Sequence, residues 1–227
     1  MSLIFRFIFL TAVRDWLYIS LLIIIGCVFG FSNLLGYTAL TEQLEMQTVY
    51  FSSVSRVVSI CGIILFICFH IRRSFENKEI EFILSKPISR IKFILSYWLS
   101  FNFVSLLLVF AILLIMFIFC AANKVGLFFW AISLILELLL VSTFAIVSSL
   151  ILQSAITSTL ASFSFYLISR LMGFFVYSID MPYGVDQAKS VTGFLEMILK
   201  LISSVFPRLD LFAKSEWLIY GVSNYSD

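Results

Sequence analysis

Charge is scarce in this sequence. Asp, Glu, Lys and Arg make up 12% of its 227 residues, about half of the roughly 25% usual in a soluble domain. Hydrophobic residues make up 62%, and the mean hydropathy is +1.10. A soluble globule of this size could not bury so much apolar surface. The composition therefore excludes a soluble enzyme, a disordered chain and a nucleic-acid binder. The formal charge of +2 is too small to call for a polyanionic partner.

Histidine and cysteine are sparse as well. His70 is the one histidine, and Cys27, Cys61, Cys68 and Cys120 all lie in apolar runs without a CxxC pair. Cys61 and Cys68, one heptad apart, can share a helix face as small packing residues. Nothing here has the spacing of a metal site, and no cofactor is expected. No Gly-rich phosphate loop of the form GxxxxGK[ST] is present, so the chain cannot hydrolyse ATP alone. No nucleophile–base pair stands out among Ser148, Ser149, Ser154, Ser158, Ser162 and Ser164. Serines in such runs more often pack helices or bond the backbone.

What the sequence does have is long apolar runs. A helix needs about 20 mostly apolar residues to cross about 30 Å of hydrocarbon. Five runs qualify: Trp16–Leu35, Val54–Ile71, Leu95–Ala121, Val125–Leu152 and Ile156–Ser178. The expected fold is all-α, a polytopic helical membrane protein with a single transmembrane domain over 1–227. Residues 1–15 read as a short amphipathic helix in the interface, with an uncleaved signal anchor as the alternative. The five spans occupy 16–178. Trp16, Trp98 and Trp130 lie near span ends, where indole rings favour the headgroup level.

Basic residues orient the chain. Arg72, Arg73, Lys78, Lys86, Arg90 and Lys92 crowd one connection, whereas the Gly36–Ser53 loop carries Glu42 and Glu45 and no basic residue. The positive-inside rule places Arg72–Lys92 and the N-terminus in the cytoplasm. An odd number of spans then leaves 179–227 outside. That tail holds four basic and six acidic residues. Within it Val191–Phe206 reads as an outer amphipathic helix ended by Pro207. Trp217–Tyr220 offers a second interfacial anchor.

Two charges stand within the spans. Glu137 lies 15 residues before Leu152, and Arg170 lies 14 residues after Ile156. Antiparallel helices joined by the Gln153–Ala155 turn would bring them to one depth. A lone ionised group at mid-bilayer costs about 2.5–3.5 kcal/mol or more, so an intramembrane ion pair is the economical reading. The pair could fix the fourth span against the fifth or line a translocation path. Snorkelling is the third possibility. Arg56, near the outer end of the second span, can reach headgroups or Glu42 and Glu45. His70 reads as an inner-surface polar residue.

The cytoplasmic connection carries the most specific pattern. FENKEIEFILSKPISRIKFILSYWLS, Phe75–Ser100, has helical periodicity, with Phe75, Glu79, Phe82 and Ile83 near one face. Pro87 disfavours helix at Lys86 and ends that run. Arg90 and Lys92 open the next helix. Acidic residues, a leucine-containing turn and SKPISR before a span resemble permease subunits of type-2 ATP-binding cassette transporters. The residues that carry the likeness are Glu76, Glu79, Glu81, Leu84, Ser85, Pro87, Ser89 and Arg90. The run Glu137–Gly173 is similar to that family's fourth and fifth spans. FPRLDLF, Phe206–Phe212, and WLIYG, Trp217–Gly221, are similar to the segment before its last span. The family usually has six spans. This chain has five, and ends at Asp227 where a sixth would begin.

The resemblance implies a membrane subunit of a transporter, expected to be an exporter, that is not itself an enzyme. Its partners would be a cytosolic ATPase subunit, a second permease subunit in a homo- or heterodimer, and membrane lipid, with no nucleic acid. The segment 72–94 would couple to the ATPase through Phe75, Glu76, Glu79, Phe82, Pro87 and Arg90. The expected location is a bacterial inner membrane, multi-pass, because outer-membrane proteins use barrels. Two rival readings are a non-transporting assembly or scaffold subunit and an intramembrane enzyme. The enzyme would need acidic or histidine side chains clustered at one face. Glu137 and His70, the candidates here, lie far apart in depth.

Overall fold

The computed structural model describes residues 6, 9–11, 14–38, 43–80, 89–120, 123–180, 207–212 and 218. Five long helices follow one another: α1 Trp16–Thr38, α2 Gln43–Glu76, α3 Arg90–Phe119, α4 Lys124–Ile151 and α5 Ala155–Asp180. A 3₁₀ turn, Leu209–Phe212, completes the described structure, and no strand occurs among the described residues. The fold is that of a polytopic helical membrane protein.

Short breaks with local caps separate the helices. Asp15 Oδ1 accepts from Leu17 N at the start of α1. The Ser89 side chain accepts from Lys92 N at the start of α3, and Asn123 accepts from Val125 N at the start of α4. These side chains satisfy amide donors that the first turn of a helix leaves unpaired. At the C-terminal ends, Cys120 N donates to Met116 O and Leu152 N to Ser148 O.

α2 and α4 form the centre. α2 packs on α1, α3, α4 and α5, and α4 on α2, α3 and α5. In the most apolar 18-residue stretch of each helix, 61% of α2 and 50% of α4 is buried, against 22% of α1. The difference separates core helices from a peripheral one whose outer face is left for lipid. Ile60, Ile63, Ile64, Ile67 and Ile71 on α2 meet Leu134, Leu138, Val141 and Ala145 of α4 in the core. α2 also buries Ser52, Ser55 and Ser59, whose hydroxyls donate to carbonyls of their own helix. Small self-satisfied residues let helix backbones approach where no hydrophobic force drives association.

Gly62 shows how close that approach is. A Cβ there would overlap Leu21 of α1, with Leu21 Cγ 3.0 Å away. Gly62→Ala is expected to loosen the α1–α2 contact by about 1–3 kcal/mol, as overpacking does. Unfolding of the purified protein measures it. The combination with Leu21→Ala should lose less than the two changes summed. Strictly additive losses would mean that the residues are not in contact.

Four details depart from the sequence expectations. Four helices, not five, are long and apolar enough to cross a membrane: Trp16–Thr38, Gln43–Glu76, Ile91–Phe119 and Lys124–Ile151. α5 has 26 residues, but Thr157, Ser158, Thr159, Ser162, Ser164, Ser169 and Arg170 dilute its apolar content. The expected loop Gly36–Ser53 is mostly helix, because α1 runs to Thr38 and α2 begins at Gln43. At 34 residues α2 is about 50 Å long, well beyond a hydrocarbon core of about 30 Å. Trp130 is 1% exposed, in the core and not at the interface.

The fourth departure concerns the helix expected to run on from Phe75. α2 ends at Glu76, and Asn77–Lys78 form a turn. Lys78 has φ of 58°, its amide donates to Phe75 O, and the Asn77 amide donates to Arg73 O. A left-handed residue of this kind closes a helix end. Phe75 and Glu79 therefore belong to different elements and share no helix face. Residues 81–88, with Phe82 and Pro87, lie outside the described residues, as do most of 1–15 and of 179–227.

Candidate functional site

The charges buried in the bundle form one network. Arg56 on α2 is 2% exposed. Its Nη1 donates to Glu137 Oε2 at 2.8 Å and to the Phe212 carbonyl at 2.7 Å. Its Nη2 donates to Ser133 Oγ at 2.8 Å and lies 3.5 Å from the Trp130 carbonyl. The guanidinium carbon stands 5.2 Å from the centre of the Trp130 ring, a favourable place for a cation. The other oxygen of Glu137 accepts from Arg170 Nη1 at 3.2 Å. One carboxylate thus bridges two arginines, and tethers α4 to α2 and to α5.

The two arginines are not equivalent. The Arg56 side chain is 3% exposed and that of Glu137 0%, while Arg170 retains 28%. Taking ions from a high-dielectric medium costs several kcal/mol each, and only close pairing with further hydrogen bonds repays it. Arg56 has those bonds from a carboxylate, a hydroxyl and a carbonyl. Sequence reasoning placed Arg56 at the membrane surface with Glu42 and Glu45, and the structure corrects this. A signal was available, since Arg56 lies 16 residues before Arg72, a depth matching Glu137 and Arg170. The long α2 moves its outer end away from Arg56 towards Gln43.

The network also reaches the segment after α5. Besides the Phe212 carbonyl on Arg56, Asp210 packs directly on Gly173 of α5, and Arg208 Nη2 donates to Asp210 Oδ2 at 3.1 Å. Leu209 and Leu218 are fully buried, and Asn123 N donates to the Leu218 carbonyl. The 207–212 segment is therefore seated over α4 and α5 beside the charges.

A second polar cluster lies at the opposite end of α2. Asp15 Oδ2 is 3.4 Å from His70 Nδ1, and Asp15 Oδ1 accepts from Arg73 Nη1 at 3.5 Å. His70 is 4% exposed and lies against the rings of Phe66 and Phe101. Beside it opens a cavity of about 340 Å³ lined by Arg14, Asp15, His70, Arg73, Asn77 and Glu79 among others. A neighbouring cavity of about 350 Å³ includes Phe69, Arg72, Glu76 and Ala155.

The residues expected to contact an ATPase are divided between these places. Phe75 is 36% exposed, and Glu76 is exposed and paired with Arg72 Nε at 3.1 Å. Glu79 is half-buried at the first cavity, and Ile80 beside it is in the core. Arg90 is the first residue of α3. Among the described residues no group of three or more His, Cys, Asp or Glu is placed to hold a metal ion. The arrangement supports holding and moving helices. Comparison of the chain with protein-family models, with curated proteins and with solved structures finds no match.

Proposed function

We propose that this chain is the membrane subunit of an ATP-driven transporter of a bacterial inner membrane, working as one of two such subunits above separate cytosolic ATPases. The observation that carries the reading is the turn after α2. It presents Glu76 and Glu79 just past the most buried helix of the bundle, and Ile80 anchors it in the core. A force applied to this turn acts on α2 along its whole length. α2 carries Arg56, so its displacement strains the bond to Glu137 and with it the packing of α4, α5 and 207–212. The SKPISR motif that follows the turn supports the same reading.

Charge reversal tests the docking. Glu76→Lys keeps the spans intact, because its side chain is 63% exposed. It should lower co-purification with the ATPase and reduce coupled ATP turnover at normal membrane abundance. Glu79→Lys should add to the loss. Unchanged ATPase affinity and turnover in the doubly reversed protein would remove this surface as the docking site. Retained ATPase binding without any substrate-stimulated turnover would favour a scaffold subunit instead.

A further inference from the structure

We propose that the cavity between the start of α1 and the end of α2 binds the headgroup of a phospholipid that carries both a phosphate and a primary amine. Its volume of about 340 Å³ lies at the small end of the range for ligand sites, enough for a headgroup and not for acyl chains. Two guanidinium groups, Arg14 and Arg73, and two carboxylates, Asp15 and Glu79, line it, with Ser74 and Asn77 between them.

The charges are unevenly committed. Asp15 is engaged by His70, Arg73 and the Leu17 amide. Arg14 and Glu79 are different: among the described residues neither side chain has a hydrogen-bond or ion-pair partner. Arg73 touches Asp15 at 3.5 Å, yet its side chain is 64% exposed, so it can turn toward a ligand. One unpaired cation and one unpaired anion facing a single cavity call for a ligand with both charges. The phosphate would take Arg14 and Arg73, and the ammonium would donate to Glu79. A purely anionic headgroup would leave Glu79 repelling it. A quaternary ammonium has no N–H to give Glu79.

The apolar surface beside the cavity selects a lipid over a soluble phosphoamine. Trp16 is 83% exposed on its rim, and Leu17 and Phe69 are exposed next to it at the neighbouring cavity. This is where the charged residues end and the apolar faces of α1 and α2 begin, the level at which Trp rings settle in a bilayer. Acyl chains can lie along these faces while the headgroup enters. The proposal requires only that the chain is embedded in a membrane, and stands apart from the transporter reading.

The test uses the full chain, purified in detergent and stripped of lipid. Native mass spectrometry follows titration with phosphatidylethanolamine, phosphatidylcholine and phosphatidylglycerol of identical chains. The ethanolamine lipid should bind roughly tenfold more tightly than either of the others. Glu79→Gln and Arg14→Gln should each erase that preference. The second change is at an exposed residue and leaves the fold undisturbed. Equal retention of the three lipids would overturn the proposal, as would a preference that survives both substitutions. A preference for the glycerol lipid that depends on Arg14 but not on Glu79 would overturn the assignment of the amine. Phosphoethanolamine without chains, binding as tightly as the lipid, would overturn the lipid.

Discussion

Arg56→Ala should destabilise the bundle by about 3–5 kcal/mol, the usual cost of stranding one partner of a buried ion pair. Arg170→Ala should cost clearly less. The reason is geometric. Without Arg56, the fully buried Glu137 keeps only a partner 3.2 Å away that is itself 28% exposed. Ser133 and the Phe212 carbonyl also lose their donor. Without Arg170, Glu137 retains the 2.8 Å bond to Arg56. Equilibrium unfolding in mixed micelles gives both values, and equal losses for the two arginines would refute the ranking.

The same experiment separates a lock from a set of independent contacts. Arg56→Met combined with Glu137→Leu removes both members of the tight pair and fills their space with apolar atoms. Buried pairs replaced in this way are often neutral or stabilising, so the double variant should be more stable than Arg56→Ala alone. Glu137→Ala and Arg170→Ala together should lose less than their sum, because each removes the same bond. A strictly additive cycle would mean that the 3.2 Å contact contributes nothing. A stable double variant that no longer supports transport would tie the charges to movement of α2 and not to folding.

The common depth of Glu137 and Arg170 is legible in the sequence because the turn at Gln153 is short. Residue counting along two helices then becomes a distance measurement. Arg56 escapes the same count because the start of α2 is hidden. Gln43–Ser53 contains Gln, Glu, Thr and Ser, which read as loop by hydropathy, yet these residues continue the helix. Gln47 bonds back to Asn33 of α1, and Thr48 and Ser52 bond their own backbone. Hydropathy reports the hydrocarbon slab, whereas helix length is decided by hydrogen bonding and contacts beyond it. The turn at Asn77–Lys78 is similarly hidden. Its residues fit a helical pattern, and only the backbone conformation of Lys78 ends it. Trp130 looks like an interfacial anchor because it follows a span start. Its partner, Arg56, is 74 residues away in sequence, and no local pattern brings the two together.

Gly173→Ala should release the 207–212 segment from α5. The added methyl would overlap the Asp210 carboxylate and lie 2.8 Å from Asp210 Cβ. That distance leaves no room for rotation of the carboxylate alone to relieve it. Either α5 or the 3₁₀ turn must shift, and Leu209–Phe212 is the shorter and less anchored element. Its displacement takes the Phe212 carbonyl away from Arg56, so strain at a methyl on α5 reaches the buried cation on α2. The loss expected from overpacking is about 1–3 kcal/mol, and the withdrawn carbonyl adds about 1.5–3 kcal/mol, the value of a bond to a charged group. Hydrogen exchange should accelerate at 209–212 while the core of α4 around Leu134–Val141 remains protected. Asp210→Gly in the same chain removes every overlapping side-chain atom and should restore protection of the turn, although the Arg208 pair is lost with it. Unaltered exchange at 209–212 in Gly173→Ala would mean that the segment does not rest on α5, and that Arg56 draws its stability from Glu137 and Ser133 alone.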